Sequence, residues 1–307
     1  MDVLVTGGAG FVGGHLVSRL VGQGHHVTVI DDLSNGRLEN LAGVLDRILF
    51  VKKDITEPPD QWFDHKPTPF HAIYNLACWP RSRSFQYPKR DIEVNVIGMV
   101  HAIQLALACK ARILFSSNSG IYDTGQIPIC ELTEDNPKTP YDLDKLQAEQ
   151  FLKLYGATFD LDYVIFRFAT VYGPRQRVSG EWKPVVMEFI TKLRAGEAPV
   201  IHWDGNQTRD LIYVEDLTEA LVLALDNPKA NRETMILGSG VETSINQLYE
   251  MVSRQLGIHR EPIRKPMVLG DIARMRYDCT KADQILGWKA GTSLEEGIHR
   301  IINANGT

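Results

Sequence analysis

Three observations in this 307-residue chain predict an α/β fold with a doubly wound parallel sheet and a smaller C-terminal lobe. An apolar strand, Val3 to Val5, runs through Thr6 into the turn Gly7-Gly8-Ala9-Gly10-Phe11-Val12-Gly13 and on into an apolar helix. Strand-like and helix-like segments then alternate as far as Phe166. Beyond Pro174, Pro, Gly and charged residues interrupt shorter elements, and two helices with loops close the chain.

The first turn carries the strongest local signal. Gly7 permits a tight bend, Gly10 lets backbone approach a pyrophosphate, and Gly13 allows close helix–strand packing, while the unpaired N–H groups of the following helix attract an anion. The spacing is G-x-x-G-x-x-G, so context has to support it. Strand His26–Ile30 follows and ends on Asp31, where an acid that hydrogen-bonds a ribose belongs. Further strands are expected at Ile48–Val51, Ala72–Leu76, Ile113–Phe115 and Tyr163–Phe166, with helices over 91–109 and 141–155. This order is Rossmann-type, and ligands of such sheets bind at the carboxyl edge. Residues 1–172 are expected to bind the dinucleotide and 173–307 mainly the substrate, with part of 211–238 returning to the first domain.

Bulk properties narrow the class. The net charge of −5 has both signs scattered, which argues against a nucleic-acid footprint or a basic membrane-binding helix. Cys78, Cys109, Cys130 and Cys279 lack metal or redox spacing, so free thiols in a reducing compartment are expected and no metal site. No apolar run approaches the ~18 residues of a membrane span. A cytoplasmic protein is the expectation.

A second chemical signal is Tyr141 with Lys145. Thr139 reads as an N-cap and Pro140 as the first helical residue, so Tyr141 and Lys145 lie one turn apart on one face. An adjacent ammonium and a cationic nicotinamide would both favour a phenolate, and a shift of about three units corresponds to roughly 4 kcal/mol. Tyr277 and Lys281 repeat the spacing. Position separates the two pairs, because Tyr141 opens a long helix soon after the strand running into Ser116-Ser117.

These residues, with Asp31-Asp32-Leu33-Ser34-Asn35-Gly36, Asp54-Ile55, Asn75-Leu76-Ala77, Arg167 through Tyr172-Gly173-Pro174, Gln207-Thr208-Arg209-Asp210 and Leu286-Gly287-Trp288, fall in a known order. Over essentially its whole length the chain resembles the extended short-chain dehydrogenase/reductases, in particular the NAD-dependent nucleotide-sugar epimerases and dehydratases, and among these the UDP-sugar 4-epimerases. The resemblance implies NAD held by Gly7, Gly10, Phe11, Val12, Gly13, Asp31, Asp32, Asn35, Gly36, Asp54, Ile55, Leu76 and Ala77, with Tyr141 and Lys145 at the nicotinamide ribose. Asp54 has the alternative of a plain loop cap. Arg209 would neutralise a substrate diphosphate, with Arg274 or Arg276 as a second clamp and Trp79 and Thr170 lining the sugar site; an ion pair with Asp204 or Asp210 is the alternative for Arg209. A homodimer through the helices near 91–109 and 141–155 is implied as well.

Departures from the family pattern shape the expected chemistry. Asn118 stands where the family places Ser or Thr, with Ser117 and Ser119 as neighbouring candidates for the catalytic hydroxyl. Dehydratases carry an Asp-Glu pair at the positions of Ser119 and Gly120, and decarboxylases a Glu at the latter; neither acid is present. Asn75, Asp123 and Thr170 also replace typical residues, and Trp79-Pro80-Arg81 inserts into the substrate-side loop, where Arg81 and Arg83 are expected as solvent-exposed arginines, with recognition of a carboxylate or phosphate on the sugar as the alternative. The expected reaction is epimerisation, at C4 of a UDP-hexose or related sugar, through a transient keto sugar, with Tyr141 as proton carrier. A ketoreductase, oxidase or dehydratase, or a non-catalytic nucleotide sensor, is the alternative.

Overall fold

A computed structural model describes residues 1–63, 69–122, 125–177, 184–267 and 272–304. Strand β1 (Asp2–Thr6) leads through the glycine turn into α1 (Phe11–Gly22), then β2 (His26–Ile30), β3 (Ile48–Val51) and β4 (Ala72–Asn75). A continuous helical stretch follows, made of α2 (Pro88–Ile92), a π turn (Glu93–Ile97) and α3 (Gly98–Cys109); it precedes β5 (Arg112–Asn118), α4 (Pro140–Phe159), β6 (Tyr163–Phe168) and β7 (Thr170–Tyr172). The remaining chain forms α5 (Val185–Arg194), β8 (Val200–His202), β9 (Thr208–Tyr213), α6 (Val214–Leu223), β10 (Glu233–Leu237), β11 (Glu242–Ser244), α7 (Ile245–Leu256), β12 (Ile263–Lys265), α8 (Thr280–Leu286) and α9 (Leu294–Ala304).

Seven strands in the order β10-β6-β5-β4-β1-β2-β3 make one sheet, every pair parallel. Their side chains alternate between two apolar clusters. Val3, Val5, Tyr74, Leu114 and Phe166 face α1 and α6, while Leu4, Ile73, Ile113, Phe115 and Ile165 face α3 and α4. Burial on both faces explains the nearly continuous apolar strands. The chain reverses direction across the sheet between β1 and β4, and the loops after those two strands meet there. Gly7 holds φ +69°, and a Cβ on it would come 2.7 Å from Ala77 N, so no other residue fits that contact.

The rest forms a smaller lobe. β11-β9-β7 make a second sheet and β12-β8 a third, around a core of Phe189, Ile190, Leu248, Val252 and Ile298. Thr170–Tyr172 pairs with β9, so the small sheet takes in chain upstream of residue 173, while Glu233–Leu237 pairs back onto β6 of the large sheet.

One expectation is corrected. The stretch Pro88–Cys109 is long and apolar enough, by length and composition, to cross a membrane. It is half buried, with Met99, Ile103 and Ala106 packed against the central sheet, which accounts for its apolar character as a core helix. Pro88 opens it, three residues before the expected start, since a proline at the first helical position loses no hydrogen bond.

Candidate active site

A cavity of about 1070 Å³ opens at the carboxyl edge beside the switch point. Gly7, Gly10–Gly13, Asp31, Asp32, Asn35, Gly36, Asp54, Ile55, Leu76 and Ala77 all line it. A Cβ on Gly13 would come 2.2 Å from Gly7 O, so the turn closes only with glycine there. Gly10 caps α1 with extended backbone and no side chain, leaving the first N–H groups of the helix open to an anion. Asp31 accepts from Ala9 N at 3.0 Å and Leu33 N at 2.9 Å, which leaves lone pairs for two hydroxyls. Burial holds its pKa above the ordinary value. The residues fit a dinucleotide: a cradle without side chains for the diphosphate, and an acid at the far end for a ribose.

Asp54 is both a cap and a pairing partner. Its carboxylate accepts from Thr56 N at 2.9 Å and pairs with Arg90, whose guanidinium lies 5.9 Å from the Trp79 ring centroid. Trp79, expected at the sugar, lines the cavity, with Arg83 and Arg90 each 5.9 Å from its ring centroid. Its indole Nε1 is buried without a hydrogen-bond partner among the described residues.

Next to Cys78 of the cavity wall, β5 delivers Ser116–Asn118 and α4 delivers Tyr141 and Lys145. Thr139 caps α4 through Asp142 N at 3.2 Å, and Pro140 is its first residue. Lys145 is buried; its Nζ donates to Ser116 O at 2.8 Å and sits 5.7 Å from the Tyr141 ring centroid. The Tyr141 hydroxyl meets the thiol of Cys78, which also lines the cavity. Burial, followed by Cys78 and Asp142, holds Tyr141 well above the ordinary tyrosine range. Burial likewise lowers the Lys145 pKa. The expectation that Lys145 lowers the tyrosine is thus incomplete: the chain alone does not supply enough positive charge to offset desolvation.

The hydroxyls flanking Asn118 are corrected. Ser117 Oγ donates to Glu149 at 2.5 Å, within a buried network in which Arg167 binds Glu149 at 2.8 and 2.7 Å and Asp135 at 2.6 Å. Ser119 Oγ donates to Phe168 O at 2.6 Å. Both serines are buried and serve β6 and α4, so neither offers its proton to Tyr141. Asn118 caps the next turn, its Oδ1 accepting from Gly120 N at 3.1 Å, while Nδ2 donates to Asp142. One amide hydrogen remains. Asp142, fully buried, also receives Arg81 Nε and Nη2, both at 3.1 Å. Arg81, expected as a solvent-exposed arginine, is only partly exposed and anchors the start of α4. A Cβ at Gly120 would lie 2.8 Å from Asn118 Nδ2 and 3.1 Å from Asp142 Oδ1, so a side chain at 120 would require this pair to shift.

Of the arginines expected at a diphosphate, Arg209 lies on the small sheet, and Arg274 and Arg276 lie between β12 and α8. Arg209 on β9 donates to Thr208 O and Ile272 O, both at 2.7 Å, and pairs in register with Thr243. Asp210 accepts from Ser239 N, Gly240 N and Tyr277 N, and Asp204 from Asn206. Arg274 binds Glu242 through two bonds at 2.8 and 2.7 Å and, with help from Arg276, pulls that carboxyl down to about 2. Thr170 is half-buried at the head of β7. Tyr277 is buried with its hydroxyl on Ser119 O at 3.4 Å, and Lys281 pairs with Glu233, so the second Tyr/Lys pair is structural. Asp123 lies outside the described residues. Sequence reasoning missed Cys78 and Asp142, whose partners lie far away in the chain and leave no local pattern.

The UDP-glucose 4-epimerase of Mycolicibacterium smegmatis is 38% identical over 310 residues, 98% of this chain and 97% of the relative. A crystal structure of UDP-glucose 4-epimerase with UDP-glucose from Thermotoga maritima superposes with a TM-score of 0.93 at 33% identity, covering 100% of this chain and 99% of that one. UDP-glucuronic acid decarboxylase 1 of Arabidopsis thaliana is 32% identical over 312 residues, 99% of this chain and 69% of the relative. The profile of the NAD dependent epimerase/dehydratase family matches residues 3–238, and with the glycine cradle, Asp31 and the Tyr141/Lys145 pair in place, the chain belongs to that family.

Proposed function

We propose that the protein is an NAD-dependent nucleotide-sugar epimerase acting at C4 of a UDP-hexose or related sugar. The observation that carries this reading is Tyr141 and Lys145 on one helical face, with Gly120 standing where dehydration or decarboxylation would use an acid. Gly7, Gly10 and Gly13 would cradle the diphosphate, Asp31 the adenosine ribose and Lys145 the nicotinamide ribose. Bound there, NAD would supply reversible hydride transfer to and from the sugar carbon.

Tyr141 takes the proton of the hydroxyl on that carbon and gives it back once the sugar has presented its other face. Because burial disfavours its phenolate, Tyr141 is held protonated until positive charge enters the site. Asn118 donates its remaining amide hydrogen to the reacting oxygen and stabilises charge there, while Asp142 and Arg81 hold it in place. Arg209, with Arg274 and Arg276 nearby, faces the nucleotide diphosphate. Residues 1–172 form the cofactor domain and 173–307 mainly the substrate lobe, with part of 211–238 returning to the first. Exposed Ile92, Ile97, Leu143 and Leu154, on α2 to α4, support a homodimer through those helices, and four unpaired cysteines support a cytoplasmic setting.

Incubation with a panel of nucleotide sugars, read by NMR, tests the reading. A C4 epimer of one UDP-sugar is expected; a decarboxylated or dehydrated product, or none from any sugar, would contradict it.

A further inference from the structure

Beside Lys145, Asp91 of α2 and Asp144 of α4 are 0% and 3% exposed. Their side chains lie within hydrogen-bond reach of each other, and each has one oxygen, Oδ2, with no hydrogen-bond partner among the described residues. Two ionised carboxylates accept only, so their contact in a buried place leaves two orphaned acceptors and a repulsion; one proton between them removes both. The other Asp91 oxygen accepts from Asn95 Nδ2 at 2.6 Å, and Asn95 Oδ1 accepts from Trp79 N at 3.1 Å. Asn95 is itself buried. A line of bonds therefore runs from the acid pair to the segment after β4 that sets Cys78 against Tyr141 and Trp79 in the cavity wall.

We infer that Asp91 and Asp144 hold a single proton between them at neutral pH, and that this proton positions the Ala77–Trp79 segment and keeps the Tyr141 site free of surplus negative charge. The charges around the pair support this. Lys145 and Asp142 face it from α4, with Tyr141 and Cys78 beyond; Asn95 faces it from the π turn; Arg81 neutralises Asp142. With one proton on the pair, its remaining charge balances Lys145, and Arg81 balances Asp142. Loss of the proton adds an uncompensated negative charge, and Asp91 already opposes ionisation of Tyr141. Burial, then the neighbouring carboxylate, pushes Asp91 up to about 7, and burial pushes Asp144 up to about 6. Asp91 and Asp144 are positioning residues, and their catalytic consequence rests on the proposed role of Tyr141.

NMR of protein labelled with ¹³C at aspartate carboxyls tests the proton itself without any turnover. In the parent, one pair of resonances should titrate together in the neutral range, and Asp144→Asn should abolish that step. If every aspartate titrates in the ordinary carboxylate range, the inference is wrong. NAD affinity tests the positioning: Asp144→Asn, whose amide donates permanently to Asp91, should bind as the parent does, while Asp144→Leu, which cannot donate, should bind roughly tenfold more weakly, about one hydrogen bond's worth. Equal affinity in both variants would overturn it. On an active substrate, Asp144→Asn should keep turnover at neutral pH and lose the parent's alkaline decline in kcat; an unchanged decline would contradict the charge argument. Absence of turnover in the parent would sink the proposed reaction and leave the NMR and affinity results standing.

Discussion

Tyr141 and Tyr277 share the same spacing to a lysine, and only their surroundings separate them. Tyr141 meets Cys78 at the cavity, whereas Tyr277 is buried on Ser119 O. Tyr141→Phe should therefore lower turnover by about 10²–10⁴ with little change in NAD affinity, and Tyr277→Phe should leave turnover largely intact. Steady-state kinetics of both variants decide this; near-parent activity in Tyr141→Phe would remove it from the mechanism. For Asn118→Ala, kcat should fall roughly 10- to 100-fold, the effect of one lost hydrogen bond of ~1–3 kcal/mol. Part of that loss is positional, because the change also frees Asp142 and Gly120 N. Asn118→Ser, shorter but able to relay a proton, should retain activity. In the cavity, Asp31 would repel a 2′-phosphate, so NAD should be the nucleotide released on denaturation. NADP as the main species would contradict the role of Asp31.

At the scale of elements, the strands and the first turn were legible because their signals are local. Apolar runs buried on both faces mark parallel strands, and glycines at fixed offsets mark the turn. The Thr139-Pro140 start of α4 was legible for the same reason. What the sequence hid are contacts between distant residues: Asn118 with Asp142, and Asp142 with Arg81. Nothing in the order of residues says that Ser117 turns to Glu149 and Ser119 to Phe168 O, so three candidates stood where one now remains. Arg81→Ala should show this anchor directly. Losing the guanidinium leaves a fully buried carboxylate short of two bonds, and since Arg81 itself is partly exposed the cost should be about 2 kcal/mol. Denaturant unfolding reads it; a midpoint equal to the parent's would mean that the pair does not hold α4.

For the molecule as a whole, the doubly wound sheet was evident from alternation alone, while the return of Glu233–Leu237 to its edge was legible only through resemblance. Sign and pH enter at this scale. Asp91 and Asp144 titrate higher when folded than the ordinary value of 3.8, so their contribution to stability is full below about pH 4 and is lost as pH rises through about 7. Asp144→Asn removes that loss, and its Tm should gain on the parent's as pH is raised from 4 to 8; a constant difference would contradict the shared proton. The central claim is that hydride leaves and returns to one sugar carbon while Tyr141 handles only the hydroxyl proton. Epimerisation of a UDP-hexose in ²H₂O, followed by NMR, tests it most directly. The account predicts an inverted C4 carrying no solvent deuterium and no accumulation of reduced cofactor; deuterium at the inverted carbon would contradict it.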